Sequence, residues 1–282
     1  MPPRTRSELS ERLSALTTEL RDAMTLDGLT RDFKIFQRRR GHRHSTDDLL
    51  TAWYAATHAP DRPVKTLLDL GSGIGSVGLA LAWYFEEAAL TAIEVQRGSY
   101  RLLCENAWAN GVEARTHLVH GDLRDAALSL LLASPPFDLV TGSPPYFDVK
   151  SGIVSADPQR AGARFELCGD VSDYCRAARH TLAHGGRFVF CFPTVQRARA
   201  ETACAKARLA IVTSRDVIPK EGAPPLFSLF ACRRAGDDGD DGGDGGAHEH
   251  EPPFTVRRAD GQPTDEHAAA RALFGMGDAA AR

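Results

Sequence analysis

Three stretches of this 282-residue chain carry residue types at spacings that could do chemistry. The first is Gly71-Ser72-Gly73-Ile74-Gly75-Ser76-Val77-Gly78, which follows the apolar run TLLDL (66–70) with Asp69 inside it. Glycine lets a backbone come close to a ligand, and a strand-to-helix turn of this kind lies at the carboxyl edge of a sheet. Glu94 ends the next apolar run, 21 residues after Gly73. A carboxylate there can accept hydrogen bonds from both hydroxyls of a ribose. Asp122 is placed at the end of the third run, and residues 73–78 also satisfy G-x-G-x-x-G, so a nicotinamide cofactor has to be considered. The second stretch is Ser143-Pro144-Pro145-Tyr146-Phe147, directly after FDLVTG. The third is residues 31–44, where Arg31, Lys34, Arg38, Arg39, Arg40 and Arg43 face the single acid Asp32. Such a segment fits phosphate contacts, or a solvated loop with no ligand.

The elements that must hold these residues follow from the periodicity. From Val64 onward, short apolar runs alternate with helical stretches: TLLDL (66–70), LTAIEV (90–95), RTHLVHGD (115–122), FDLVTG (137–142) and RFVFCF (187–192). This alternation predicts a parallel sheet with helices on both faces. LAIVTSRDVI (209–218) and LFSLFACRR (226–234) are spaced as neighbouring strands. Upstream, Leu9, Leu13, Leu16, Leu20 and Met24 form one apolar stripe, which predicts a helix over 7–24. FKIFQ (33–37) alternates as a short strand, and Thr46-Asp47-Asp48 opens a capped helix. Trp53, Tyr54 and Trp83 fall at helical spacing and read as core. The Gly/Asp-rich stretch 235–253 reads as a disordered acidic insertion, after which FTVRR (254–258) resumes a strand and Thr264 opens a last helix.

At the Ser143 tetrapeptide the sequence resembles a known family. After DLGSGIGSVGLAL and the glutamate at 94, Ser-Pro-Pro-Tyr resembles the D/N/S-P-P-Y/F/W signature of class I S-adenosylmethionine methyltransferases that act on an exocyclic or amide nitrogen. The chain is most similar to the bacterial tRNA (adenine-N6)-methyltransferase family that modifies valine tRNA beside the anticodon. HSTDDLLTAW resembles that family's TDALLL-type segment, and the likeness extends over about residues 28–275. It departs at Ser143, where the family usually has Asn, and at the acidic insertion.

The resemblance implies a Rossmann-like α/β fold, with a mostly parallel seven-stranded sheet and an antiparallel last strand. The expected organisation is an N-terminal helix and basic extension over 1–45, a methyltransferase domain over 46–275 and a tail over 276–282. The cofactor implied is S-adenosylmethionine, held by Thr46, Asp47, Asp69, Gly71, Gly73, Gly75, Glu94, Asp122 and Ser143. Catalysis would fall to Ser143, Pro144, Pro145 and Tyr146. An aromatic amine is a poor nucleophile because its lone pair is delocalised. If Ser143 Oγ and the Pro144 carbonyl accept the amino hydrogens, the nitrogen is drawn toward tetrahedral geometry and its lone pair is aimed at the methyl sulfonium. Two prolines stiffen that loop, and Tyr146 can stack on the base. Arg38, Arg39, Arg40, Phe147 and Arg160 would contact the substrate, with Arg164 beside them. The reading is methyl transfer to N6 of adenine in RNA, with tRNA first by resemblance. A protein-glutamine N5-methyltransferase and a non-catalytic cofactor-binding module are the alternatives.

Composition narrows the rest. With 43% apolar and 25% charged residues, the chain is long enough to bury one large core. Apolar runs reach about eight residues, against about 18 needed to cross a bilayer, and the acids Glu8, Glu11, Glu19 and Asp22 argue against a targeting peptide. The expectation is a cytoplasmic, monomeric protein. The six cysteines show no CxxC pair or zinc spacing, so neither a metal site nor a disulfide is expected. The net charge of −3 is uneven, since residues 235–251 hold seven acids and no Lys or Arg.

Overall fold

The computed structural model describes residues 2–14, 23–126, 128, 135–148, 157–237 and 248–277. Helix α1 (Arg6–Ser14) is followed by strands β1 (Met24–Gly28) and β2 (Lys34–Arg38) and helix α2 (Thr46–Thr57). Then come β3 (Thr66–Leu70), α3 (Ser76–Tyr84), β4 (Ala89–Glu94), α4 (Arg97–Ala109), β5 (Thr116–His120) and β6 (Phe137–Gly142). The second half holds α5 (Pro158–Arg164), α6 (Val171–Thr181), β7 (Leu182–Pro193), α7 (Arg197–Lys206), β8 (Leu209–Ile218), β9 (Phe227–Arg234), β10 (Glu249–Thr255) and α8 (Asp265–Leu273).

Eight of the strands form one sheet in the order β10-β8-β9-β7-β6-β3-β4-β5. Its central strands β3, β6 and β9 read as near-continuous apolar runs because helices cover both faces. Alternate residues serve opposite layers. Leu67, Leu139, Val189 and Leu229 meet α2, α3, α4 and α8 on one face. Leu68, Val140, Phe188, Phe190 and Phe230 meet α6 and α7 on the other, with the three phenylalanines stacked at 4.9 Å between successive ring centroids. The chain leaves β3 toward β4 and β5, then returns to β6 on the other side of β3. That reversal opens a crevice beyond the carboxyl ends of β3 and β6, where ligands bind in such sheets.

The observed sheet corrects several expectations. It has eight strands, not seven, because β10 adds in parallel beyond β8. The one reversed strand is β9, which is antiparallel to both its neighbours β7 and β8 and so lies inside the sheet. The segment 235–253 is not all flexible loop: Ala235–Asp237 form a turn and 249–253 belong to β10, while 238–247 lie outside the described residues. Of the expected helix over 7–24, residues up to Ser14 and Ala23 are helical, 15–22 lie outside the described residues, and Met24 begins a strand. There the period-two pattern of Met24 and Leu26 wins over the helical stripe, because both side chains pack with Phe36 and Trp108.

The β1–β2 hairpin stays outside the large sheet and is clamped to α4 by two asparagines one turn apart. Asn106 and Asn110 each accept from and donate to the backbone of β2, at Phe36 and Lys34 respectively, over 2.6–3.1 Å. Asn106 also donates to Ile74 O at 2.8 Å, so the hairpin is tied to the glycine turn. Among the described residues no helix is long and apolar enough to cross a membrane, and no group of three or more His, Cys, Asp or Glu could hold a metal ion.

Candidate active site

The glycine turn shapes one wall of the crevice. Gly71, Gly73 and Gly75 adopt positive φ of 61°, 58° and 92°, where glycine alone is at ease. A Cβ on Gly71 would lie 2.0 Å from Tyr174 Oη, whereas one on Gly73 would meet nothing within 4 Å. The turn is held from below by Asp69, whose Oδ1 accepts from Thr141 Oγ1 (2.8 Å) and whose Oδ2 accepts from Gly78 N (3.1 Å). Burial raises the Asp69 carboxyl to about 6, against the pull of those bonds.

Glu94 closes the opposite wall. Its Oε2 accepts from Gly73 N at 2.8 Å and its Oε1 from Gln96 N at 2.6 Å, so each oxygen keeps further acceptor capacity. Burial lifts it to about 7, and the two backbone bonds oppose that rise. Ile74, Ile93, Val95 and Leu123 supply apolar lining between these walls, and Ser143 and Pro145 reach the same cleft from the end of β6.

Behind Ser143 lies a polar chain. Cys191 Sγ donates to Ser143 Oγ at 3.6 Å and lies 3.3 Å from Tyr146 Oη. Tyr146 Oη donates to Asp47 Oδ2 at 3.2 Å. Burial pushes the Cys191 thiol up to about 12, which makes it a neutral hydrogen-bonding group and not a nucleophile. The Tyr146 ring meets Phe192 edge-on at 6.2 Å, and its carbonyl accepts from Gln196 Nε2 at 2.7 Å.

Several residues singled out from the sequence therefore meet in one cleft: Asp69, Gly71, Gly73, Glu94, Ser143 and Pro145. Others stand apart from its lining. Gly75 caps α3. Thr46 is exposed, and Asp47 holds Tyr146. Pro144 is buried behind the lining, and Tyr146 is packed into the core edge instead of presenting a free face. Asp122 is turned onto Arg124, which forks its two oxygens at 2.9 and 2.6 Å, while its neighbours Gly121 and Leu123 line the cleft.

The basic segment folds over the mouth. Arg160 Nε donates to Gly41 O at 3.2 Å, Arg38 pairs with Asp157 at 3.0 Å, and Arg39 and Arg40 are exposed. Phe147, 43% exposed, donates its N–H to Arg164 O at 2.9 Å. Helix α5 thus joins the basic segment to the Ser143 loop, and its Gly162 and Ala163 line the cleft.

Sequence reasoning missed Asp48, His42, Ser76, Gln96 and Tyr174, all of which line the cleft. Asp48 is the notable one. Its Oδ2 accepts from Ser45 N at 3.0 Å, the reciprocal bond of a capping box. Burial, then the charge of Asp47, raises it to about 8. The signal for it was the Ser45-x-x-Asp48 capping-box spacing, whereas Thr46-Asp47-Asp48 reads only as a helix start. Burial also lowers His42, which therefore stays neutral near pH 7.

With this geometry in view, the comparisons with known proteins are consistent. A family model described as the methyltransferase small domain matches residues 51–156. The chain is 30% identical over 163 residues to the tRNA1(Val) (adenine(37)-N6)-methyltransferase of Porphyromonas gingivalis W83, covering 58% of this chain and 63% of that protein. It is 29% identical to the Pasteurella multocida enzyme of the same name over 69% of this chain and 78% of that protein. The chain thus spans a little under two thirds of the length of the P. gingivalis relative. Among solved structures, a predicted O-methyltransferase from Agrobacterium tumefaciens superposes with a TM-score of 0.62 at 19% identity, over 81% of this chain and 97% of that one. P. horikoshii TYW2, solved in complex with MeSAdo, gives 0.52 at 17% identity over 75% and 71%. The chain has the class I methyltransferase fold, and residues 51–156 match the methyltransferase small domain. Within that class its sequence resembles the tRNA1(Val) (adenine(37)-N6)-methyltransferases.

Proposed function

We propose that the chain transfers the methyl group of S-adenosylmethionine to the exocyclic N6 of adenine in RNA, with tRNA as substrate. The observation that carries this reading is the shared cleft. Ser143 and Pro145 open into the same space as the Gly71–Gly73 turn and Glu94, across the β3–β6 reversal.

The residues present fit the cofactor. Gly73 leaves open space where a side chain would stand, and buried Glu94 keeps acceptor capacity for two ribose hydroxyls. Ile74, Val95 and Leu123 offer apolar faces to an adenine, and Asp48 and Asp69 offer carboxyls to a cationic amino-acid end. When bound, the cofactor supplies an electrophilic methyl on a sulfonium. Ser143 Oγ and the Pro144 carbonyl then hold the two amino hydrogens of adenine, so that its nitrogen rehybridises with the lone pair directed along the transfer line. The proton leaves the cationic product, so no strong base is required. Neutral His42 lies in the cleft as an acceptor for it.

The test is mass spectrometry of nucleosides from RNA incubated with purified chain and isotopically labelled S-adenosylmethionine. Labelled N6-methyladenosine from tRNA supports the reading. Label in protein glutamine and none in RNA would replace it.

A further inference from the structure

Among the described residues five large apolar side chains are more than a third exposed: Tyr84, Phe147, Leu167, Val195 and Leu226. Four of them gather at the carboxyl edge of the sheet, around the Ser143–Tyr146 loop. Hydrogen bonds join their backbones in one line. Glu166 N donates to Phe147 O at 3.0 Å, which brings Leu167 to the Phe147 side. Gln196 Nε2 reaches Tyr146 O, and Thr194 N donates to Leu226 O at 3.3 Å, so the turn bearing Val195 bridges the loop and Leu226.

Val195 is 88% exposed and Leu226 60%, yet both sit on braced backbone. The Val195 turn is pinned by Thr194 Oγ1 to Ser228 Oγ at 3.0 Å. Leu226 ends the β8–β9 loop, which carries Pro219, Pro224 and Pro225 and is fastened by Glu221 N to Arg257 O at 2.8 Å. Apolar surface held in water contributes nothing to folding, and a contiguous group of it beside a site marks a contact surface. The same line continues past Phe147 through Arg164 and Arg160 to exposed Arg39 and Arg40. Glu166 at the rim is paired with Arg199 at 2.6 Å, and the exposed acid Asp148, next to Phe147, acts on the same guanidinium.

We propose that Phe147, Leu167, Val195 and Leu226 form a stacking platform for unpaired bases that flank the target adenine. The proposal rests on the RNA reading above and adds the form of RNA accepted. A strand whose phosphates lie on the arginines at one end of the line would lay its bases along the apolar end. Duplex RNA keeps its base faces stacked inward and gains nothing there. Stacking on the Phe147 ring and apolar contact of base faces with the aliphatic side chains beside it tolerate any base, so the platform selects an open strand and not a sequence.

The experiment is fluorescence anisotropy with a labelled single-stranded oligoribonucleotide of mixed, adenine-containing sequence, and with the same strand annealed to its complement. The neutral double variant Val195→Ser/Leu226→Ser, which removes apolar area that the bases would bury, should bind the single strand about tenfold more weakly and the duplex as the parent does. Val195→Trp should tighten single-strand binding, and Tyr84→Ser, at the far end of α3, should change neither. S-adenosylhomocysteine binding measured by calorimetry should stay the same in all of them, which certifies the fold. Equal single-strand affinity in the parent and the double variant overturns the platform, as does an equal loss on both RNA forms. Self-association of the parent that the double variant abolishes would reassign the rim to a second copy of the chain and also overturn it. If the parent binds S-adenosylhomocysteine but neither binds nor methylates any RNA, the RNA reading itself fails. Methylation of RNA by parent and rim variants alike defeats the platform alone.

Discussion

Ser143 carries one proton and two lone pairs, with Cys191 Sγ as a weak donor 3.6 Å away. The orienting bond to the amine matters most as nitrogen rehybridises, so Ser143→Ala should lower kcat more than it raises KM in steady-state assays. Ser143→Asn supplies a carbonyl acceptor in its place and should keep or raise activity. If Ser143→Ala turns over like the parent, the tetrapeptide is a structural turn. Tyr146 has a different part from the free stacking face expected of it, since its ring lies edge-on to Phe192 and its hydroxyl ties Asp47 to Cys191. Tyr146→Phe should be mild, while Tyr146→Ala should lower the melting temperature as well as activity, by about 2–4 kcal/mol for a partly buried aromatic. The buried carboxyls carry a pH signature. Folding raises Asp48 from 3.8 to about 8 and Glu94 from 4.5 to about 7, in both cases chiefly by burial. Groups raised in the folded state leave stability whole below about pH 4 and withdraw it as pH climbs through 7 and 8. Thermal melts should therefore fall from pH 5 to 8.5, and Asp48→Asn should flatten that fall. Cofactor affinity should move the other way for Glu94, because its ionised form accepts two ribose hydroxyls. Calorimetry should show tightening between pH 6 and 8, lost in Glu94→Gln.

At the scale of elements, the segment from β2 to α2 acts as a strap across the cleft. Arg38 is engaged with Asp157 and Arg160 with Gly41 O, and Arg39 and Arg40 beside them are exposed, as are Arg31 and Lys34 at the start of the run. Replacing Arg38, Arg39 and Arg40 with Ala should weaken RNA binding across sequences and reduce the salt slope by about 0.7–0.9 for each phosphate left without its arginine. Cofactor affinity should hold, and an unchanged slope would make the strap a solvated loop. The elements differ in how legible they were. TLLDL and FDLVTG coincide with β3 and β6 because strands buried on both faces read as unbroken apolar runs, and LAIVTSRDVI coincides with β8 although most of that strand is only partly buried. The hairpin β1–β2 was half hidden, since its outer edge is satisfied by Asn106 and Asn110, some 70 residues away, and no local pattern announces that. Asp122 shows the same limit at the site. Its position beside the third strand was legible, but its carboxylate is taken by Arg124 two residues on, a choice of rotamer that spacing does not encode.

Over the whole molecule, the cleft depends on a C-terminal unit far away in the chain. Helix α2 brings Asp48 to the cleft at one end and rests its other end on β10 and α8. Phe254 of β10 is fully buried, lies 5.1 Å from the Trp53 ring, and shares the Arg215 guanidinium with it. His58 at the end of α2 meets Glu251 of β10 at 2.9 Å. The acidic insertion thus interrupts the route to an edge strand that braces a cleft helix, and the chain resumes its core after it. Phe254→Ala should remove that brace and cost about 3–5 kcal/mol, the usual range for a buried aromatic cut to alanine. At roughly 2–4 °C per kcal/mol for a chain of this size, the melting temperature should fall by about 6–20 °C. Because α2 carries Asp48, the same variant should bind S-adenosylhomocysteine more weakly. Saturating ligand should still recover part of the loss, about 2.7 kcal/mol at a hundredfold excess over Kd. Calorimetric melts with and without the ligand separate these effects. A variant that melts and binds like the parent would mean that β10 is a passive edge and that α2 is held by the N-terminal half alone.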